Sequence, residues 1–219
     1  MPPNAKRVCV DIGGTFTDCL VLDEMTGQFT LVKSPTTPSD PSDGFLNAMA
    51  KAARIFGETT GEFLGSVSVL IHGTTLATNV LLTGSGARTG MLTTRNFRDI
   101  LEIRRAIKPL HVSLFNLFIP PNRPLIPRSR RLNVTERTLC TGEILEHLNE
   151  DETAAAVATL RDDGVEAVAV CFLHSYANPA NERRAAEIVN SVAPDMYVTT
   201  SHETIHVWRE FERFNTTSV

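Results

Sequence analysis

Residues 8–23 read V-C-V-D-I-G-G-T-F-T-D-C-L-V-L-D, a pattern typical of two apolar strands joined by a glycine turn. Asp11 stands at the end of the first strand, and the hydroxyls of Thr15 and Thr17 flank the turn. Adjacent glycines let a backbone approach an anion closely, and the amides and hydroxyls that follow can donate to phosphate oxygens. The stretch therefore predicts a phosphate-binding loop, although its spacing alone fits an ordinary hairpin turn equally well.

Composition points to an ordinary globular protein. The 219 residues, 42% hydrophobic and 21% charged, are enough to bury a core, and a formal charge of −4 argues against nucleic-acid binding. The sequence has no apolar run long enough to span a membrane and no signal-peptide pattern, so we expect a cytoplasmic protein without membrane contact. Its four cysteines form no C-x-x-C pair and are expected to be buried thiols.

The first 102 residues predict a βββαβαβ lobe. Short connections between the first three strands imply an antiparallel meander, and the later strand–helix–strand order implies a parallel crossover, so the sheet is mixed. Asp40 followed by Pro41 is a helix start, and Gly57 is a stop. We expect strands over residues 6–12, 16–22, 29–33, 66–71 and 87–92, and helices over 41–56 and 76–82.

Residues 103–148 are expected to form an irregular, basic and proline-rich insertion. Seven basic residues, from Arg104 through Lys108 to Arg131, and five prolines precede Thr135 without one acidic residue. Such a segment is usually solvated surface or a packing arm, with direct phosphate contact as the alternative. Apolar residues between the arginines favour a subunit interface.

Regular structure is expected again over residues 149–200. Asn149 and Glu152 form a capping-box-like helix start, and the apolar run from Val165 to Leu173 predicts a strand covered on both faces. We expect this α/β segment to be followed, over residues 201–219, by the start of a C-terminal part that continues beyond this sequence.

A second candidate anion site begins at His72-Gly73-Thr74-Thr75, where a strand ends and a helix opens. Free amides and the helix dipole favour an anion at such a position. Thr74 and Thr75 would face phosphate or a substrate carbonyl, with Asn79 one helical turn later. The alternative is an ordinary helix cap with a buried histidine.

Five motifs, in order, resemble the N-terminal part of the hydantoinase A family. They are D-I-G-G-T-F-T-D from Asp11, H-G-T-T-L-A-T-N from His72, G-A-R-T-G-M-L-T-T from Gly86, F-R-D-I-L-E-I from Phe97 and A-V-A-V-C-F-L-H-S-Y from Ala167. That family includes N-methylhydantoinase, ATP-dependent 5-oxoprolinase and subunits of acetone and acetophenone carboxylases. The first motif also resembles the phosphate loop of the superfamily of actin, chaperone ATPases and sugar kinases. The resemblance implies an α/β, ribonuclease-H-like lobe of the actin-like ATPase type.

The same resemblance implies ATP-dependent phosphorylation of a carbonyl or enolate oxygen, leading to cyclic-amide hydrolysis or, alternatively, to ketone carboxylation. It makes Asp11 the catalytic residue, which holds Mg²⁺ through water. It assigns ATP phosphate binding to Gly13, Gly14, Thr15 and Thr17, and the helix start described above adds Thr74 and Thr75. Weaker candidates for substrate or phosphate contact are His72, Gly73, Asn79 and Asp18, the last of which has a turn cap as its alternative role.

Partners are implied as well. The superfamily clamps its nucleotide between two lobes, and no second D-x-G-G or glycine cluster follows Gly90. We therefore expect the missing nucleotide-binding lobe, or other subunits of a hetero-oligomer, to act with this chain on a small carbonyl substrate. A non-catalytic structural subunit is the remaining alternative within the family.

One competing motif, H-E-x-x-H from His202 to His206, would on a helix bind zinc as in a metalloprotease. Only thirteen residues follow His206, none of them histidine, and the motif comes directly after a strand. Residues 201–213 also resemble a family stretch of the type S-x-E-x-x-x-x-[FY]-R-E-[FY]-E-R. We therefore do not expect zinc here.

Overall fold

The structure, a computed structural model, describes residues 6–37, 40–106, 113, 115–119 and 122–219. It divides into two compact units, Met1–Gly86 and Ala87–Val219, and each has its own sheet and hydrophobic core. Within the described part of the chain, no helix is long and apolar enough to cross a membrane.

The first unit is a mixed four-stranded sheet with helices. Its elements are β1 (Lys6–Ile12), β2 (Phe16–Asp23), β3 (Phe29–Pro35), α1 (Pro41–Ile55), α2 (Thr60–Ser66), β4 (Val67–Thr74) and α3 (Leu76–Thr83). The strand order is β3-β2-β1-β4, with β1 antiparallel to β2 and parallel to β4. The expected antiparallel meander and the mixed character of the sheet are therefore confirmed, but the parallel pair is β1 with β4 and not the expected β4 with β5.

Local sequence explains most of these elements. The Asp40 carboxylate accepts a hydrogen bond from the Ser42 amide at 2.9 Å, and Gly57 follows α1 with a left-handed φ of 71°. Helix α2 was not predicted, although Thr59 and Glu62 form a complete capping box at its start. Alternate residues of β1 point inward and pack with α1, which forms the core of this unit.

The second unit is built on a parallel sheet. Its elements are β5 (Thr89–Thr94), α4 (Ile100–Ile103), β6 (Arg131–Val134), β7 (Arg137–Thr138), β8 (Ile144–Glu146), α5 (Glu150–Asp162), β9 (Ala167–Cys171), α6 (Ala180–Val192), β10 (Tyr197–Thr200), α7 (Ser201–Thr204) and α8 (Glu210–Thr217), with a single 3-10 turn at Arg128–Arg130. Strands β10-β9-β5-β6 lie side by side in that order and are all parallel, while β7 and β8 form a small hairpin.

The position of β5 differs from the expected one. We predicted it within the first lobe, residues 1–102, but it pairs with β9 and β6 in the second sheet. Residues 90–94 are buried, so this strand needs a hydrogen-bonding neighbour on each side. A strand's own sequence does not specify which of two sheets supplies those neighbours.

The predicted irregular insertion is partly regular. From Arg128 onward it contains the 3-10 turn, the edge strand β6 and the β7–β8 hairpin. Arg131, expected at a surface or interface, is fully buried, because its guanidinium pairs with Glu102 and donates to the Arg98 carbonyl oxygen at 2.6 Å. Lys108 lies outside the described residues, and the subunit-interface interpretation stays a prediction.

Two of the four cysteines are not buried as expected. Cys19 and Cys171 are buried, but Cys9 and Cys140 are exposed. Cys9 lies on the face of β1 that α1 does not cover, since burial alternates along that strand. Burial raises the pKa of the Cys19 thiol to about 11.

Glu136 is a buried carboxyl group in the second unit. It is 2% exposed, its Oε2 accepts from Asn181 Nδ2 at 2.9 Å, and its other oxygen accepts from the Thr94 hydroxyl. Burial raises the pKa of Glu136 above its ordinary value, while the two hydrogen bonds oppose that rise. The folded state therefore holds the proton of Glu136 more tightly than the unfolded state does.

A pH-dependent stability difference follows. Because the folded pKa of Glu136 exceeds the unfolded one, its stabilising contribution is complete below the unfolded pKa and is lost as pH rises through the folded pKa. Glu136→Gln removes this titration. In calorimetric scans we expect the melting temperature of the wild type, relative to that of the variant, to decrease as pH rises above the ordinary pKa of glutamate. The exposed Glu143→Gln serves as control, and a difference for Glu136→Gln that does not change with pH would contradict this account.

Candidate functional site

Parallel pairing of β1 with β4 brings the two candidate anion motifs together. Asp11 is the register partner of Gly73 and Ile12 that of Thr74, and the Thr75 amide donates to the Ile12 carbonyl oxygen at 3.2 Å. Parallel strands end at the same edge of a sheet. The D-I-G-G-T loop therefore lies beside the H-G-T-T segment, as the phosphate-site hypothesis requires.

The loop is held by its carbonyl oxygens. The Gly13 carbonyl accepts from the Thr36 hydroxyl at 2.9 Å, and the Thr15 carbonyl accepts from the Thr36 amide at 3.0 Å. The amides of Gly14 and Thr15 make no hydrogen bond to any described residue. With the carbonyls anchored, these two amides remain available as donors to an anion.

The two glycines are required by close contacts. A Cβ atom on Gly13 would lie 3.0 Å from the Phe16 carbonyl oxygen, and one on Gly14 would lie 3.3 Å from Nδ2 of Asn79. The loop thus packs directly on the start of α3. The same measurement places the Asn79 amide beside the loop, where it adds a further donor.

Two carboxylates face each other next to the loop. Asp11 and Asp18 are cross-strand partners on β1 and β2, so their side chains lie on the same face of the sheet. Asp18 pairs with Lys33 at 3.3 Å and does not cap the turn, whereas Asp11 makes no ion pair or hydrogen bond with any described residue. Facing carboxylates repel each other, and a bound cation would relieve that repulsion.

These residues fit the magnesium ion that the family resemblance implies. Mg²⁺ is usually held by one or two carboxylates together with waters and substrate phosphates. Asp11 is exposed, and a Cβ atom on Gly73 would lie 3.9 Å from Asp11 Oδ1, so this carboxylate lies directly beside the H-G-T-T segment. Among the described residues there is no cluster of three or more potential metal-ligating side chains.

The start of α3 contributes to the same edge. The Thr74 hydroxyl accepts from the Leu76 amide at 3.3 Å, whereas the Thr75 hydroxyl is unbonded within the described residues. The helix dipole adds partial positive charge there. His72 is exposed, but it is the register partner of Val10 and stacks edge-on against Phe45, so it lies on the opposite sheet face from Asp11.

Thr17 is placed differently from the other predicted phosphate ligands. It is fully buried, and its hydroxyl lies 3.0 Å from the Thr36 hydroxyl. As the partner of Ile12 it belongs to the helix-covered face, where a Cβ atom on Gly44 would come within 3.0 Å of its oxygen. Thr17 therefore supports the loop from beneath, a position that strand alternation along β2 already indicates. Thr36 was not predicted as a residue that supports the loop, because the sequence shows it only as one threonine within a connecting segment.

The H-E-x-x-H motif does not form a single helix. Helix α7 ends at Thr204, and Ile205 is extended with φ −153° and ψ 118°, so His202 and His206 lack the helical spacing of a zinc site. Instead, His202 Nδ1 lies 2.7 Å from Oε2 of the buried Glu182.

Comparison with known proteins agrees with this geometry. Residues 7–193 match the family described as hydantoinase/oxoprolinase N-terminal region. The chain is 35% identical over 219 residues to caprolactamase subunit alpha of Pseudomonas jessenii, covering 100% of this chain and 31% of that protein. It is 34% identical to the acetophenone carboxylase gamma subunit of Aromatoleum aromaticum, covering 95% and 30% of the two chains.

The fold has a close counterpart among solved structures. The nucleotide-free structure of an ATP-dependent acetone carboxylase superposes with a TM-score of 0.83 at 27% identity, over 98% of this chain and 31% of that one. This match confirms the α/β fold class. The chain spans about a third of the length of the relatives it matches. With both of its candidate motifs inside the matched region, the chain belongs to the hydantoinase/oxoprolinase N-terminal region family.

Proposed function

We propose that the first unit binds the phosphates of ATP together with Mg²⁺, within an enzyme that phosphorylates a carbonyl or enolate oxygen of a small molecule. The observation that carries the proposal is the convergence, at one sheet edge, of unbonded amides at Gly14 and Thr15 with the unpaired Asp11 carboxylate, judged among the described residues. Two structural neighbours described as ATP-dependent, an acetone carboxylase and a caprolactamase, support the choice of nucleotide.

The roles divide into direct contacts and support. The amides of Gly14 and Thr15, the hydroxyls of Thr15 and Thr75, and the Asn79 side chain donate to phosphate oxygens, because all of them border the loop and are unbonded within the described residues. Thr17 and Thr36 hold the loop from below. Gly73 leaves space beside the carboxylate.

Phosphoryl transfer asks the protein mainly for positioning and charge neutralisation. Magnesium, when bound, supplies neutralising charge on the phosphate oxygens. Asp11 would orient that ion through water, and Asp18 would add a second negative charge from the neighbouring strand. The Lys33 ammonium, 3.3 Å from Asp18, limits the repulsion between the two carboxylates.

For the overall reaction we propose cyclic-amide hydrolysis, with ketone carboxylation as the second candidate. Relatives named as caprolactamase and 5-oxoprolinase support the first, and the match to acetone carboxylase supports the second. Several relatives are named as subunits, which supports further subunits of a hetero-oligomer as partners. Caprolactam and acetophenone, offered in turn to the purified complex, distinguish the two: we expect the true class of substrate to stimulate ADP release.

Calorimetric titration of Mg·ATP tests the loop itself. We expect Gly14→Ala to weaken Mg·ATP binding by at least about tenfold, because the added Cβ atom displaces the Asn79 amide, a proposed phosphate donor, and adds bulk beside the two free amides. The matched control is Gly61→Ala, since a Cβ atom there meets nothing within 4 Å. Equal affinity in wild type and Gly14→Ala would reject this loop as the site. No binding by the wild-type chain, alone or in its complex, would favour the structural-subunit alternative.

A further inference from the structure

The second unit has a cavity at the carboxyl ends of its central strands. After β5 the chain continues to β6 on one side of the sheet, and after β9 it continues to β10 on the other side. Adjacent parallel strands whose connections leave in opposite directions form a switch point, where open α/β sheets bind their ligands. The pair β5 and β9 therefore marks the position in this unit that favours a ligand on topological grounds.

The cavity at this position has a volume of about 430 Å³, within the range of small-molecule sites. Phe97 and Ile100, which follow β5, and Leu173, which follows β9, form part of its wall. Trp208, which precedes α8, and Phe211, in the first turn of α8, also line it. Half of its lining residues are thus apolar or aromatic, and the other half are charged.

Charged residues add a net positive charge to the lining. Three arginines and two glutamates contribute, and Arg105 is already paired with Glu212. Glu210 lies within 3.9 Å of Arg213 and 3.7 Å of His174. Arg104 and Arg209 form no ion pair with any described residue, and the Arg209 guanidinium stacks 4.7 Å from the centre of the Trp208 ring.

Arg104 is also held in a strained backbone conformation. Its φ of 56° and ψ of −122° are unusual for a residue with a side chain, and its amide donates to the Ile100 carbonyl oxygen at 2.8 Å. Such strain is concentrated at functional sites, where the surrounding structure maintains it. This backbone conformation fixes the position of the first side-chain atom of Arg104 beside the cavity.

We propose that this cavity binds a small organic monoanion, a carboxylate attached to an apolar ring or chain. Arg104 and Arg209 neutralise the carboxylate, and the apolar body packs between Phe97, Leu173 and Trp208. One net positive charge in the lining matches a monoanion better than a phosphate dianion, which would also approach the two glutamates. This site belongs to the second unit and is independent of the proposed phosphate loop.

Trp208 provides the readout. It is the sole tryptophan of the sequence and is 65% exposed, so its fluorescence reports on the cavity directly. Benzoate is the probe, with benzyl alcohol as its neutral counterpart and phenyl phosphate as the dianion. We expect benzoate to change the Trp208 emission saturably and to bind at least about tenfold more tightly than either of the other two. Acetate at equal concentration controls for collisional quenching and ionic strength.

Matched variants connect the signal to the arginine. We expect Arg104→Ala to weaken benzoate binding at least about tenfold, and Arg183→Ala, which removes an exposed arginine of α6, to leave it unchanged. Circular dichroism checks that both variants fold. Any of four results would overturn the proposal. Benzyl alcohol could bind as tightly as benzoate, phenyl phosphate could bind more tightly, the benzoate signal could fail to saturate, or a folded Arg104→Ala variant could bind benzoate with wild-type affinity. Gly14→Ala should bind benzoate normally, which separates this site from the ATP hypothesis.

Discussion

Replacing Asp11 with asparagine is expected to remove the gain in ATP affinity that Mg²⁺ provides, while ATP binding without the metal is unchanged or slightly tighter. The effects on ATP affinity with and without Mg²⁺ have opposite signs because of the negative charge of Asp11. Asp11 attracts the metal ion, but in its absence the carboxylate repels the phosphates, and asparagine does neither. Calorimetric titrations with Mg²⁺ and with EDTA measure both effects on the same protein.

The same substitution should lower ATP turnover of the complete enzyme by about 10²–10³-fold, the usual loss when one charge-stabilising group is removed. Asp43→Asn is the matched control, because Asp43 is exposed in the first turn of α1 and forms no ion pair with any described residue. A variant that weakens ATP binding equally with and without Mg²⁺ would show that Asp11 supports the loop structurally. Unchanged turnover in Asp11→Asn would remove Asp11 from the mechanism.

The largest expected effect on stability comes from Arg213. This residue is fully buried, and its guanidinium donates to the Phe172 and Val207 carbonyl oxygens, both at 2.8 Å, and to the Ser201 hydroxyl at 3.0 Å. Ser201 in turn donates to Glu182 at 2.6 Å. Arg213 thus joins α8 to the ends of β9 and α7 through a buried polar network.

We expect Arg213→Met to lower the free energy of unfolding by roughly 3–5 kcal/mol, because it leaves buried acceptors without donors. Urea denaturation measures this change. Arg183→Met, an exposed arginine on α6, should stay within about 0.5 kcal/mol of wild type. Arg213→Lys should recover only part of the loss, since an ammonium lacks the fork that reaches three acceptors. A loss for Arg213→Met no greater than that of the control would show that water replaces the guanidinium.

Local sequence was sufficient for most elements of the first unit and for the loop, although helix α2 was not predicted. Alternating apolar residues predicted β1 and β2, Asp40 and Pro41 predicted the start of α1, and adjacent glycines predicted the close backbone approach at residues 13 and 14. Each of these features depends on residues within a few positions of one another. The parallel pairing of β1 with β4, which joins the loop to the H-G-T-T segment, was not predicted, because the order of elements indicated a parallel crossover between β4 and β5 instead.

Features that depend on contacts between residues far apart in the chain could not be predicted from the sequence. Arg131 can be buried because the carboxylate of Glu102 compensates the positive charge of its guanidinium. Without such a partner, an arginine is expected at the surface. The assignment of β5 to the second sheet depends on β9, more than seventy residues later.

By itself, then, the sequence determined the strand and helix order around the loop and the chemical groups on it, because these are set by local spacing, and its motifs indicated the family. Only the tertiary structure decided which hydroxyl supports the loop and which remains free. Thr17 and Thr36 meet beneath the loop, whereas Thr15 stays exposed. The physical reason is that each buried hydroxyl must find a hydrogen-bond partner, and the fold supplies it from residues far apart in the chain.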